Sequence, residues 1–404
     1  MRRRAFGNTR RLPSGRWQAR YRDGRGQEQT AMFATKAAAG RWLSSIETDI
    51  GRGDWADPRL ARVTVGEWAE QWTATTVALK PKTRWGYASV LRTHVLPAFG
   101  DAPVSAVDTA AVRQLMANML SAGSSPATAT KARAVLRLVM SCALEGGAIK
   151  ANPCVGVKVG RAKRREMVFL TPAQIEDLAE AITHPPLKPG GGGHRRAAYP
   201  ELGLLVRLAA YTGLRAGELC ALRVGRVDTM HRKLTVAESL ADVGGTLSFG
   251  PTKNSRERVV GVPAFLIDPL LEHLATRPAD PRALVFVGPE GGPMRHANVY
   301  RRHYRPAVAR SGIPATTRFH DLRHTCAALL INGGAPQMAV MRRLGHSTIT
   351  VTIDTYGHLF PEAEEALTDV LDGVGRAARP TETATVVPLL RTADGGLPEA
   401  VPRS

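Results

Sequence analysis

The first sixty residues carry two different hydrophobic periods. Residues 16–22 set Trp17, Ala19 and Tyr21 between Arg16, Gln18, Arg20 and Arg22. That period of two puts apolar side chains on one face of a strand and a basic comb on the other. The turn sequence Asp23-Gly24-Arg25-Gly26 separates this run from a second strand over 27–33. From about 35 to 50 the period becomes helical, with Ala38, Trp42, Leu43 and Ile46 spaced to pack over the apolar face. Residues 1–60 are thus expected to form a small β-sheet plus helix, with 51–58 as a linker.

Helical spacing dominates the next stretch. Thr64 and Glu67 stand in capping-box relation, and Trp68 and Trp72 lie one turn apart. Further helices are predicted over 81–96, 108–121 and 126–145, with Asp108 and Ser125 as N-caps. Residues 62–150 therefore read as an all-α domain of four helices, followed by a Pro/Gly/basic connector over 152–166. Thr171-Pro172 opens a helix, and 165–375 reads as a larger mixed α/β, mainly α, domain. Within it a hairpin is expected between strands 246–249 and 258–262, joined by 250–257. Residues 185–193 read as a flexible insertion and 376–404 as a polar, disordered tail.

Charge narrows the function. The 404 residues include 55 Lys and Arg against 35 Asp and Glu, a net charge of +20. Such an excess points to a polyanion, either nucleic acid or an anionic membrane surface. No run of eighteen apolar residues is present, which argues against a membrane span and favours nucleic acid. Met-Arg-Arg-Arg at the start has no apolar stretch after it, so a cytoplasmic protein, nucleoid-associated when bound, is expected. Arg16, Gln18, Arg20 and Arg22 on a ribbon that fits a major groove, and Lys80, Lys82, Arg84, Lys131 and Arg133 on helices, are the DNA-contact candidates. Each alone is equally an ordinary solvated charge. The four cysteines show no Cys-x-x-Cys spacing, so buried reduced thiols are expected rather than disulfides or a thiolate metal site.

Four stations in the last domain carry chemistry. Arg215, in Thr212-Gly213-Leu214-Arg215-Ala216-Gly217-Glu218, sits at a helix start, where backbone N–H groups favour an anion, and Glu218 is one turn away to hold it. Lys253 lies between the hairpin strands, and only it and Lys233 follow Lys188. A lysine can give up a proton, which an arginine effectively cannot. His320, Arg323 and His324 share one face of a helix. The His-x-x-x-His spacing is also a zinc spacing, but Arg323 would set a cation beside the metal, so no metal is expected. Finally, Tyr356 follows Leu344-Gly345-His346 by ten residues. Taken singly, each has a bland reading as surface charge or core ring. Together they supply two guanidiniums for a phosphodiester, a proton donor, a proton acceptor and a nucleophilic hydroxyl.

The ordered series Arg215, Lys253, His320-x-x-Arg323, Leu344-Gly345-His346 and Tyr356 resembles the active site of the tyrosine recombinases, the phage-integrase kind. Residues 62–150 resemble that family's core-type DNA-binding domain, and 1–60 its arm-site or AP2-like module. The resemblance implies attack by Tyr356 on a scissile phosphate, giving a 3′-phosphotyrosine and a free 5′-hydroxyl without a cofactor. It further implies Arg215 and Arg323 stabilising the transition state, Lys253 protonating the leaving oxygen, His320 assisting the nucleophile and His346 bonding the phosphate. His324 is assigned to packing beside the site. Partners implied are double-stranded DNA attachment sites, a homotetramer on a Holliday junction, and accessory DNA-bending and directionality factors. The rival readings are a catalytically silent DNA-binding regulator and a strand-swivelling topoisomerase.

Overall fold

A computed structural model describes residues 6–24, 26–53, 55–160, 166–186, 198–252, 254, 256–360 and 363–378, the last stretch partly as backbone alone. The chain divides into two compact units, 1–325 and 326–404.

The first unit begins with an antiparallel sheet of β1 (Asn8–Arg11), β2 (Trp17–Arg22) and β3 (Glu28–Phe33), in that order. Ala19 and Tyr21 are buried and Arg22 is exposed, as period two requires. Helix α1 (Lys36–Arg52) is capped by the Thr35 hydroxyl and covers the sheet through Ala39 and Leu43. Strand β1 was not expected. It reads Asn-Thr-Arg-Arg, an edge strand with no apolar alternation of its own, and its pairing is set by β2. The segment expected as a linker is shorter than 51–58, because α1 runs on to Arg52 before Gly53 turns left-handed at φ 73. Trp55 then donates its indole N–H to the Tyr21 hydroxyl at 2.7 Å.

The helical region comprises α2 (Val65–Thr75), α3 (Pro81–Val90), α4 (Leu96–Phe99), α5 (Thr109–Ser121) and α6 (Pro126–Glu145). The Thr64–Glu67 capping box is closed in both directions, and Asp108 and Ser125 cap α5 and α6. The helix expected over 81–96 is interrupted by a π turn at Leu91–Val95. Pro97 lies two residues beyond its end; having no N–H and crowding the preceding turn, it loosens the ladder there. The core of these helices extends into the connector, where Cys154 and Val157 are buried.

From 166 onward the first unit adds α7 (Pro172–Thr183), α8 (Pro200–Thr212), α9 (Ala216–Cys220), strands β4 (Val227–Asp228), β5 (Lys233–Val236), β6 (Glu238–Val243), β7 (Thr246–Pro251) and β8 (Arg258–Gly261), then α10 (Ile267–Ala275), α11 (His296–Val299) and α12 (Arg305–Arg310). The hairpin expected between 246–249 and 258–262 does not form. Strand β7 pairs instead with β6, and β8 pairs with β5. The deciding signal is Gly244-Gly245, with φ 61 and 90, a two-residue turn whose paired positive angles match hairpin twist. Helix α13 (Phe319–Asn332) runs across the division between the units.

The second unit holds the end of α13, then α14 (Gln337–Leu344), α15 (Ile349–Tyr356) and α16 (Ala363–Ala378). The insertion expected at 185–193 and the tail beyond 378 lie largely outside the described residues. Cys154, Cys220 and Cys326 are buried and Cys142 partly so, all as free thiols. Burial pushes the Cys154 thiol up to about 11. Among the described residues no helix is long and apolar enough to cross a membrane.

Candidate active site

In the first unit the site is built on the break between α8 and α9. Gly213 ends α8 in the left-handed region at φ 70, a conformation that suits glycine, and Leu214 anchors the turn by burial. Arg215 is then extended and stands as the N-cap of α9. Its backbone N–H donates to Glu218 Oε2 and its Nη1 to Oε1, both at 2.9 Å. Arg258, on β8, donates Nη1 to Oε1 at 3.1 Å and Nη2 to Oε2 at 2.6 Å. Glu218 is only 2% exposed. Burial pushes its carboxyl up, but the hydrogen bonds and charge of Arg258, joined by Arg215, outweigh that and hold it net below the usual carboxylate range. Gly217 allows the close approach this needs, since a Cβ there would lie 2.6 Å from both the Leu240 carbonyl oxygen and the Ser239 hydroxyl.

The start of α13 brings the third station to the same turn. Asp321 is fully buried and takes three bonds from Arg318: the backbone N–H at 2.7 Å, Nε at 3.1 Å and Nη2 at 2.6 Å. One turn on, the Thr325 hydroxyl donates to the Asp321 carbonyl and accepts from the Leu170 N–H, tying α13 to the approach of α7. Arg323, 2% exposed, donates Nη1 to the Gly213 carbonyl at 2.6 Å, so Arg323 and Arg215 are both fixed by the Gly213 turn. The His320 and His324 rings meet edge to face at 4.9 Å.

His320 keeps an exposed side, yet its pKa is pushed down to about 4. Crowding out of water is the main cause, followed by His324, Arg323 and Arg215, with Asp321 opposing. Water on the open side screens part of that repulsion. His320 is thus held as a neutral imidazole, able to accept a proton. His324 is also lowered, by burial first and then by Arg318 and Arg323 against Asp321.

In the second unit Gly345 ends α14 at φ 65, and the His346 N–H returns to the Met341 carbonyl, turning the His346 ring toward α15. The His346 Nδ1 lies 2.9 Å from the Thr352 hydroxyl, and its ring is parallel to Tyr356, with centroids 6.3 Å apart. Tyr356 is the last residue of α15. The structure thus sets the His346 ring parallel to Tyr356, with the Thr352 hydroxyl against the imidazole at Nδ1. Lys253 lies outside the described residues.

The expected DNA contacts fare unevenly. Arg16, Arg22, Lys80, Lys82, Arg84 and Lys131 are exposed. Gln18 and Arg20 are half-buried in the β-sheet face, Arg20 bonding Asn8 at 2.7 Å. Lys80 donates to the Thr252 carbonyl at 2.7 Å. Arg133 is half-buried and donates to the Val157 carbonyl, so it also serves to hold the connector on α6. Arg258, Arg318 and Asp321 escaped the sequence reading. Arg258 lies forty residues from Glu218, and no local spacing announces that pairing.

Comparison with known proteins adds to this geometry. Residues 168–363 match the model of the phage integrase family, 5–52 that of the phage integrase N-terminal domain, and 65–159 that of the phage integrase central domain. The prophage phiRv2 integrase of Mycobacterium tuberculosis is 31% identical over 357 residues, covering 86% of this chain and 90% of that protein. The integrase of Mycobacterium phage D29 is also 31% identical, over 366 residues, covering 86% and 91%. Among solved structures, the Tn1549 transposon integrase in complex with a circular intermediate DNA matches with a TM-score of 0.62 at 22% identity, over 76% of this chain and 99% of that one. The lambda integrase tetramer bound to a Holliday junction matches at 0.54 and 19%, over 85% and 96%.

Proposed function

The chain belongs to the phage integrase family and is a tyrosine-type site-specific DNA recombinase, and from that premise we propose that Tyr356 is the residue that links to DNA. The observation that carries this reading is the pairing of His346 with Tyr356 in the second unit; within the first, the Gly213 turn holds Arg215 and Arg323, and His320 lies on the same helix as Arg323. The Tyr356 oxygen attacks the scissile phosphorus and gives its proton toward His320. The P–O5′ bond breaks, and the departing 5′ oxygen takes a proton from Lys253. Arg215 and Arg323 donate to the non-bridging oxygens, where negative charge grows. His346 donates a further bond to the phosphate. The bond energy stays in the phosphotyrosine, so reversal by another 5′-hydroxyl rejoins DNA with no nucleotide cofactor.

The substrate is double-stranded DNA carrying attachment sites. Four protomers act on two duplexes through a Holliday junction, as the lambda integrase tetramer is seen to bind one. The module of 1–60 contacts a distal arm site through Arg16, Arg20 and Arg22, and 62–150 grips the core site with Lys82, Arg84 and Lys131. Accessory DNA-bending and directionality proteins fit an enzyme with a separate arm module, and a DNA substrate is in keeping with a cytoplasmic, nucleoid-associated location. The test is Tyr356→Phe on a nicked suicide core site. DNA affinity should be retained within about 2-fold, since one hydroxyl among many phosphate contacts is lost, while no covalent band forms on a denaturing gel. A covalent band in the variant would overturn the assignment.

A further inference from the structure

We propose that Arg258 is a positioning residue for recombination, acting on Arg215 through Glu218. This goes beyond the six-residue reading of the site and rests on Arg215 as a phosphate clamp. Glu218 is a buried carboxylate that receives one side-chain N–H from Arg215 and two from Arg258. Oε2 also accepts the Arg215 backbone N–H, and the two guanidiniums approach the one carboxylate at once. Arg258 takes the bidentate share, which is the stronger geometry. Arg215 is thereby held by a single side-chain bond, and the rest of its fork is not drawn onto Glu218.

The charge balance of the group gives the role its chemistry. Two guanidiniums and one carboxylate leave one net positive charge on the side where Arg215 is 24% exposed, whereas Arg258 is 12% exposed. Remove Arg258 and a buried carboxylate faces Arg215 alone. Its second oxygen then competes with the DNA phosphate for the same fork, and the local net charge falls to zero. Arg258 does not touch substrate in this account. It keeps Glu218 occupied, so that Glu218 aims Arg215 without sequestering it.

The experiment uses the full chain and a nicked suicide core site, with single-turnover cleavage and DNA affinity measured separately. Arg258→Met should slow cleavage by ~10²-fold, the scale for a misplaced catalytic group, with affinity changed less than about 3-fold because other phosphate contacts persist. Adding Glu218→Gln to Arg258→Met removes the uncompensated charge and should recover cleavage by about 10-fold, a result that loss of packing alone would not give. Arg258→Lys keeps the charge without the fork and should fall between wild type and Arg258→Met, which preserves the test should the Met variant fold poorly. Arg215→Ala serves as the reference. Were it to cleave normally, the clamp reading itself would fail. Were it inactive while Arg258→Met and Arg258→Lys cleave at the wild-type rate, or while Glu218→Gln deepens the Arg258→Met defect, the role of Arg258 would be overturned.

Discussion

Gly217→Ala separates helix propensity from the tertiary contact that sets the site. Gly217 lies in α9, away from the positive-φ region, so on helix propensity alone alanine should stabilise by about 1 kcal/mol. The contacts predict the opposite sign. A Cβ at this position would sit 2.6 Å from the Leu240 carbonyl oxygen, a backbone atom of β6 that cannot swing aside. Restoring an ordinary separation of about 3.4 Å requires α9 or β6 to retreat by roughly 0.8 Å. Overpacking of this kind costs about 1–3 kcal/mol. Because Arg215 caps α9, the same retreat displaces its guanidinium, and cleavage should fall by about 10- to 100-fold, in line with the sensitivity of catalytic geometry to an ångström. Urea denaturation and single-turnover cleavage of a suicide substrate measure the two effects. Gly292→Ala, which meets nothing within 4 Å, is the control and should stay within about 0.5 kcal/mol. If Gly217→Ala proves as stable and as active as wild type, the Leu240 contact does not set the position of Arg215, and the argument for a rigid α9 fails.

Two other outcomes follow from the site. Lys253→Ala should be badly impaired on ordinary DNA yet largely rescued on a 5′-bridging phosphorothiolate, since a thiolate with a conjugate-acid pKa near about 8.5 leaves without a proton; equal impairment on both substrates would remove Lys253 as the general acid. His320, pushed down to about 4, should remain neutral through mildly acidic pH, so cleavage should show no loss attributable to His320 at its ordinary 6.5. Between those two values the unfolded chain binds more protons at this position than the folded one, so its contribution to stability is complete above 6.5 and is lost as pH falls toward 4. An acid limb near 6.5 that disappears in His320→Asn would contradict a neutral, proton-accepting His320.

Much of this was legible in local sequence, where local physics decides. The Thr64–Glu67 box, the Asp108 and Ser125 caps and the alternation about Ala19 and Tyr21 depend on near neighbours alone, and all formed as their spacing required. The sheet around the Lys253 segment formed otherwise, because the nearer two-residue turn Gly244-Gly245 bends β6 onto β7 and leaves β8 to find its partner, β5, across the chain. The π turn before Pro97 was missed because a helical period continues through it unchanged. At the site, Arg215 and Glu218 are three residues apart and readable, whereas Arg258 and the Arg323–Gly213 contact come from long-range packing. Arg133 shows the reverse limit, since a basic residue on a helix can be spent on a backbone carbonyl.

By the proposed mechanism, one particular tyrosine of the seven in the chain bonds to DNA. Trapping the wild-type enzyme on a suicide attachment-site substrate, digesting protein and DNA, and sequencing the linked peptide by mass spectrometry tests it directly. The expected product is a nucleotide joined through its 3′-phosphate to Tyr356, in the peptide that also holds Thr352. A link to Tyr300, Tyr304 or any other side chain, or a 5′-phosphate linkage, would contradict it.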